Sequence, residues 1–157
     1  METTRHFVAT VYVVNDGATL LHEHEKLGLW LPPGGHVDRD ELPHEAARRE
    51  TREETGLDVA LLREHGDVTS PTVRSLPEPA HLLLEDIDVH EEGVGHQHVD
   101  FVYYGRADER DLAPDDGEQS AEAWEWVPSE QLDEKRFDAD VTRLGREAIS
   151  YWSSDST

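Results

Sequence analysis

Apolar residues fall along this chain in short runs separated by turn-forming residues. Phe7 to Val14 is mostly apolar or β-branched, Ala18 to Leu21 is again apolar, and Asn15-Asp16-Gly17 lies between them. Asn, Asp and Gly tolerate the positive φ of a two-residue turn, so the pattern predicts a hairpin with strands at Phe7 to Val14 and Ala18 to His24. Further strand-like segments are Val59 to Arg63, His81 to Val89 and His98 to Arg106, with a short one at Trp124 to Val127. Helices are expected over about 42 to 55 and 138 to 152. Strands interspersed with helices predict an α/β domain. No internal repeat or low-complexity linker interrupts the chain, so residues 1 to 157 read as a single domain. The segments Ser70 to Pro79 and Asp108 to Ala121 carry Pro, Asp and Gly punctuation and are expected to be loops that wall a substrate cleft.

The first helix departs from the pattern of an ordinary surface helix. Residues 42 to 55 offer only Leu42, Ala46, Ala47 and two threonines as an apolar stripe, too little to anchor a helix by burial alone. In the same segment Glu50, Glu53 and Glu54 stand at i, i+3 and i+4, which puts three carboxylates on one face within about one turn. Like charges so placed repel by a few tenths of a kcal/mol per pair. Divalent cations are the natural compensation, and carboxylate oxygens are the ligands that hard Mg²⁺ or Mn²⁺ prefer. Arg49 can pair with Glu45 and Glu53, each four residues away.

The stretch from Gly35 to Leu57 resembles the Nudix box, whose pattern is G-x5-E-x7-R-E-U-x-E-E-x-G-U with U aliphatic. Gly35, Glu41, Arg49, Glu50, Glu53, Glu54, Gly56 and Leu57 match it, and Thr51 departs from it at the first U position. A threonine there has the size of Val but a hydroxyl that needs a partner, for which the Ala47 carbonyl is in helical reach. Upstream, Trp30-Leu31-Pro32-Pro33-Gly34-Gly35-His36-Val37 is similar to the family's LPGG loop with one extra proline, and Trp124-Glu125-Trp126-Val127-Pro128 is similar to its late strand and turn. The resemblance implies a Nudix-like α/β/α sandwich around a mixed β-sheet. It implies hydrolysis of the pyrophosphate linkage of a nucleoside diphosphate joined to another moiety, with Mg²⁺, or alternatively Mn²⁺, as cofactor. Arg49, Glu50, Glu53 and Glu54 would form the catalytic set, and Gly35 (through its carbonyl), Glu50, Glu53 and Glu54 the metal ligands. Arg49 and Glu41 would brace the turn. The proton acceptor would be a box glutamate or a later loop residue, for which Glu118 and Glu122 are candidates. The alternative is a non-catalytic module that senses a nucleotide, although such modules are expected to lose box glutamates and none is lost here.

Composition narrows the setting. The chain has 36 acidic residues against 14 basic, a formal net charge of -22, and its only lysines are Lys26 and Lys135. The acids are spread over strand-like and helix-like segments alike, the pattern of a solvated surface adapted to high salt rather than of a disordered tail. With no basic patch, nucleic acid is not an expected partner; a small nucleotide diphosphate derivative is, and a homodimer is left open. There is no cysteine, no membrane-length apolar run and no signal-peptide pattern in METTRHF, so a cytoplasmic location is expected.

One further pattern stands outside the box. Alternation along the strand puts His96, His98 and Asp100 on one face with Val99, Phe101 and Tyr103 opposite. A transition-metal site is one reading of that run. The favoured one is a polar face that lines the cleft or meets solvent while the other face packs the core, and the poor match of imidazole to Mg²⁺ argues the same way. Trp30, Tyr103 and Tyr104 could stack on a base, but aromatics at strand spacing more often belong to the core.

Overall fold

Strand β1 (Thr4–Asn15) is buried on both faces over its second half, which explains its near-continuous apolar run: Val11 and Val13 point one way, Tyr12 and Val14 the other, and none is more than 3% exposed. The computed structural model describes residues 1–154. The other strands are β2 (Ala18–Glu23), β3 (Trp30–Leu31), β4 (Gly34–His36), β5 (Ala60–Leu61), β6 (His81–His90), β7 (Gly93–Arg106) and β8 (Trp124–Pro128), and the helices are α1 (Pro43–Thr55) and α2 (Ala139–Ser154). All strands join one mixed sheet. β1 and β7 run parallel, with register from Thr4↔His96 to Val14↔Arg106, and the remaining pairs are antiparallel.

The helices cover opposite faces of this sheet. Ala46 and Ala47 of α1 pack with Ala9, Val11, Val13, Leu57 and Tyr103, whereas Val141, Leu144 and Ala148 of α2 pack with Tyr12, Val14, Val102 and Tyr104. The result is the expected α/β/α sandwich. Tyr103 and Tyr104 are core residues, and Trp30 packs edge-on against Phe137 with Arg136 over its ring, so none of the three lines the cleft described below.

The Asp16-Gly17 turn forms as expected, with φ of 46° and 76° closing the Asn15↔Ala18 pair. β7 begins five residues earlier than the expected His98, because Gly93 at φ 138° closes a hairpin with β6 and the polar His96-Gln97-His98 segment simply continues the ladder. β5 is shorter than the expected Val59 to Arg63, and Arg63 has a positive φ of 60° that ends the extended run. β3 and β4 were not legible in a Pro- and Gly-rich segment. They arise by pairing, β4 laying Gly34, Gly35 and His36 against Thr10, Ala9 and Val8.

α1 meets the sheet through Ala46, Ala47, Thr51 and Thr55, all fully buried, so small side chains rather than a broad apolar stripe let the helix approach closely. The two threonine hydroxyls donate to the carbonyls four residues back, Thr51 to Ala47 at 2.8 Å and Thr55 to Thr51 at 2.6 Å. Gly56, at φ 77°, stops the helix with its N–H donating to the Arg52 carbonyl. Past it, the Ala113 and Asp115 N–H groups donate to the Thr55 and Glu53 carbonyls, pinning the loop of residues 108–121 to the C-terminal end of α1.

Candidate active site

The site grows from the junction of β4 and α1. Arg49 grips Glu41 with both arms, Nε donating to Oε2 at 2.6 Å and Nη2 to Oε1 at 2.9 Å, while Nη2 also donates to the His36 carbonyl at 3.0 Å. Its Nη1 reaches Glu50 Oε1 at 2.9 Å and Glu53 Oε2 at 3.2 Å. One guanidinium thereby ties the β4 end, the following loop and two helix carboxylates into a unit. The Arg49 hydrogen bond holds the Glu41 carboxyl below its ordinary range, and Glu41 in turn raises the arginine. Glu45 is not a partner of Arg49 as the spacing suggested; its Oε1 accepts the Leu42 N–H at 2.8 Å and satisfies an orphan donor of the first helical turn.

Glu50 and Glu54 sit where the protein by itself does not fully compensate a carboxylate's charge. Burial raises the Glu50 carboxyl despite Arg49, with Glu53 and Glu118 adding to the rise. Glu54 is pushed up to about 8, mainly by burial and then by Glu50, Glu118 and Glu53, against the lowering effect of the Gly34 N–H that donates to its Oε2 at 3.0 Å. Glu53 lies at the rim, its side chain 38% exposed. The Glu50 carboxylate rests over Gly35, where any Cβ would fall 2.5 Å from its Cδ.

Glu54 opens on two adjoining hollows. The larger, about 500 Å³, runs along the α2 face of the sheet past Gly34, Gly35, Thr10, Glu85, Asp100 and Leu144. The smaller, about 230 Å³, is walled by His22, His24, Glu54, Glu118, Gln119 and Trp124. Of the two loop candidates, Glu118 is therefore brought to the box carboxylates. Glu122 is exposed on a short 3-10 turn, with the Ser120 hydroxyl 3.3 Å from its Oε2, and lines neither hollow. The loop of residues 108–121 walls the site as expected. The Ser70 to Pro79 segment does not: residues 75–79 border a separate hollow on the α1 side with Pro43, Phe101 and Tyr103. That segment follows β5 and Arg63, which lead the chain out on the α1 face, away from the carboxylates.

Residues that the sequence did not single out complete the walls. Glu85 on β6 sits near the buried Asp100, and burial together with Asp100 raises its carboxyl well above the usual carboxylate range. Asp100 accepts the Thr10 hydroxyl at 2.9 Å, so it is a buried acceptor at the cleft floor rather than a companion ligand to His96 and His98. His6 and His36 join His96 and His98 through the parallel register of β1 with β7 and the pairing of β4 with β1. Burial and these neighbours lower His98. Pairing register was the missing signal, and one sequence does not print it.

The box residues suit a hard divalent cation. The ligating side chains are all oxygen donors, two of their carboxyls are raised above the usual range, and the bare Gly35 backbone lets the Glu50 carboxylate lie directly against it. Arg49 Nη1 holds Glu50 and Glu53 from the side.

The chain resembles known proteins over nearly all its length. The family model for the NUDIX domain matches residues 4–145. A protein of Brucella anthropi named RNA pyrophosphohydrolase is 34% identical over 122 residues, 76% of this chain and 63% of that protein. One of the same name from Rhizobium meliloti is 35% identical over 107 residues, 66% of this chain and 61% of that one. This chain thus spans somewhat under two thirds of the length of these relatives. Among solved structures, a NUDIX-family hydrolase from Clostridium perfringens superposes with a TM-score of 0.79 at 30% identity, covering 95% of this chain and 99% of that one. An Ap4A hydrolase of C. elegans shares the fold, with a TM-score of 0.56 at 18% identity over 94% of this chain and 98% of that one.

Proposed function

We propose that this chain, which belongs to the NUDIX family, is a metal-dependent hydrolase of the pyrophosphate linkage in a nucleoside diphosphate derivative. The observation that carries this reading is the mutual proximity of Glu50, Glu53, Glu54 and Glu118, of which Glu54 and Glu118 line one hollow, with Glu50 and Glu54 held above their ordinary pKa and, among the described residues, the Arg49 guanidinium set against Glu50 and Glu53. A surface cluster would show no such shifts, because water would screen it. A nucleotide-sensing module would have no need of the intact carboxylate set.

Glu50, Glu53 and Glu54, with the Gly35 carbonyl, would hold Mg²⁺, or Mn²⁺ in its place. The cation supplies neutralisation of the diphosphate and acidification of a water molecule. Arg49 fixes one oxygen of Glu50 and one of Glu53, leaving each a second oxygen for a cation, while the Gly34 N–H fixes Glu54 Oε2. Glu118 lines the smaller hollow with Glu54 and is not among the Arg49 partners, and it would take the proton of the attacking water. Water adds to one phosphorus as the bond from that phosphorus to the bridging oxygen breaks, so the products are a nucleoside monophosphate and the phosphorylated second moiety. The larger hollow, with apolar Leu27, Leu29 and Leu144 beside Asp138 and Asp140, accommodates the rest of the substrate.

A second substrate reading is the 5′ pyrophosphate of RNA, favoured by the names of the relatives above. The net charge of -22 opposes a long polyanion, so a small nucleotide stays first. A product screen by nucleotide chromatography with Mg²⁺ or Mn²⁺ in molar salt, pairing nucleoside diphosphate derivatives with a 5′-triphosphorylated oligoribonucleotide, tests both. Faster turnover of the oligonucleotide would reverse the order. No turnover of either would return the chain to the sensing module.

A further inference from the structure

We propose that His6, His96 and His98, with His36 beside them, bind a transition-metal cation of the Zn²⁺ class at a site separate from the glutamates. This inference does not depend on the hydrolase reading. Three strands deliver these side chains to one place: His6 lies directly beside His98 in the parallel β1–β7 register, His96 is two residues back on the same face, and His36 comes in opposite Val8. His6, His96 and His98 each offer one ring nitrogen, and all three nitrogens lie within 4.8 Å of one another. Among the described residues this is the one group of three ligating side chains so close together.

The rings themselves form a closed circuit. Their centroids are 4.7 Å apart for His6 and His96, 5.2 Å for His96 and His98, 5.3 Å for His98 and His36, and 5.3 Å for His36 and His6. Zn–N bonds of about 2.0–2.1 Å put tetrahedral ligand nitrogens roughly 3.3 Å apart. Reaching that from 4.8 Å or less takes modest side-chain rotations, which the exposed His6 and half-exposed His96 and His98 have room to make.

The chemistry selects the metal. Imidazole serves Zn²⁺, Cu²⁺ and Ni²⁺ well and Mg²⁺ poorly, the reverse of the carboxylate box. The Thr4 hydroxyl lies 2.8 Å from His96 Nδ1, so a His96 that donates Nδ1–H to Thr4 presents its Nε2 lone pair and has its ring orientation fixed, as ligating histidines require. Among the described residues the side chains of His6, His36 and His98 make no hydrogen bond, so no protein partner occupies their nitrogens. A patch of solvated histidines would gain nothing from this crowding, since any two protonated rings repel. His36 and His98 also line the large hollow, so an ion here would border the substrate cavity.

Equilibrium dialysis of Zn²⁺ with metal analysis, run with excess Mg²⁺ to occupy the glutamates, tests the site. The wild type should retain one tight Zn²⁺ per chain, and a His6→Ala, His96→Ala double variant should weaken it at least about tenfold. A Glu53→Gln, Glu54→Gln variant should hold Zn²⁺ as the wild type does. Cu²⁺ bound to the wild type should show nitrogen hyperfine coupling that the histidine variant loses, and a His36→Ala variant checks the result if the double variant folds poorly by circular dichroism. Retention of Zn²⁺ by both histidine variants, its loss with the glutamate variant, or no uptake by the wild type overturns the site.

Discussion

The carboxylate of Glu50 occupies the space into which a side chain at Gly35 would grow: a Cβ there would lie 2.5 Å from Cδ and 2.6 Å from Oε1. The obstructing atoms are the end of a flexible side chain, so Gly35→Ala should leave the fold nearly intact and move the carboxylate instead. We expect a change in stability below about 1 kcal/mol and a fall in kcat of at least about tenfold. Gly34→Ala meets the Ala9 carbonyl at 2.6 Å, which is backbone, so it should cost stability as well. Melting curves and steady-state rates on the two variants separate the effects; equal activity loss with equal destabilisation would remove the special role of Gly35.

Glu53→Gln or Glu54→Gln removes one anionic oxygen donor while keeping size, and each should lower kcat/KM by at least about a hundredfold without unfolding the protein. Wild-type-like rates in both would reject the assigned site.

Glu118→Gln should slow turnover at least about tenfold, whereas Glu122→Gln should leave it unchanged, because only Glu118 shares a hollow with Glu54. Comparable rates in the two variants would move the proton acceptor back into the box.

Glu54 titrates near 8 in the folded chain against an ordinary value of 4.5, so the native state binds its proton more tightly than the unfolded state does. Its contribution is fully present below about pH 4.5 and is lost as pH rises through about 8. Allowing for water at the cavity mouth, metal-free protein should lose on the order of 2 kcal/mol from this group across that window. Glu54→Gln should flatten that part of the profile. Mg²⁺ should restore stability progressively more toward pH 8, as the ionised carboxylate gains its counter-charge. Denaturant unfolding at several pH values, with and without Mg²⁺, measures both; a Mg²⁺ effect that shrinks with rising pH would contradict the assignment.

Arg49→Lys keeps the charge but loses the two-armed grip on Glu41 and the simultaneous reach to Glu50, Glu53 and the His36 carbonyl. A kcat loss of about tenfold or more is expected, and a fully active lysine variant would show that charge alone suffices.

The charge of -22 should make the fold salt-dependent. The Debye length falls from about 10 Å at 0.1 M to about 3 Å at 1 M salt, so Tm should rise across that range, and a flat or falling Tm would refute the salt-adapted reading of the surface.

The Gly35 to Leu57 spacing told of both the helix and its carboxylate face, because i, i+3, i+4 positions on a helix are neighbours whatever the rest of the chain does. The β1–β2 hairpin was equally plain, since Asp16-Gly17 dictates the turn and two-sided burial dictates the apolar run. β3 and β4 were hidden, because Pro- and Gly-rich segments become strands only when a neighbour pairs with them.

The sequence by itself determined the local matters: helix, hairpin and the carboxylate ladder, all of which depend on residues a few positions apart; the sandwich was legible only through the resemblance of the Gly35 to Leu57 stretch to a known family. Tertiary structure alone decided that Glu118 and not Glu122 faces Glu54, that residues 75–79 border a different hollow, and that His6 and His36 meet His96 and His98. Those relations span tens of residues: the histidine cluster depends on strand register, where a one-residue slip would turn those side chains to the other face, and the loop placements depend on where the loops are pinned to the fold.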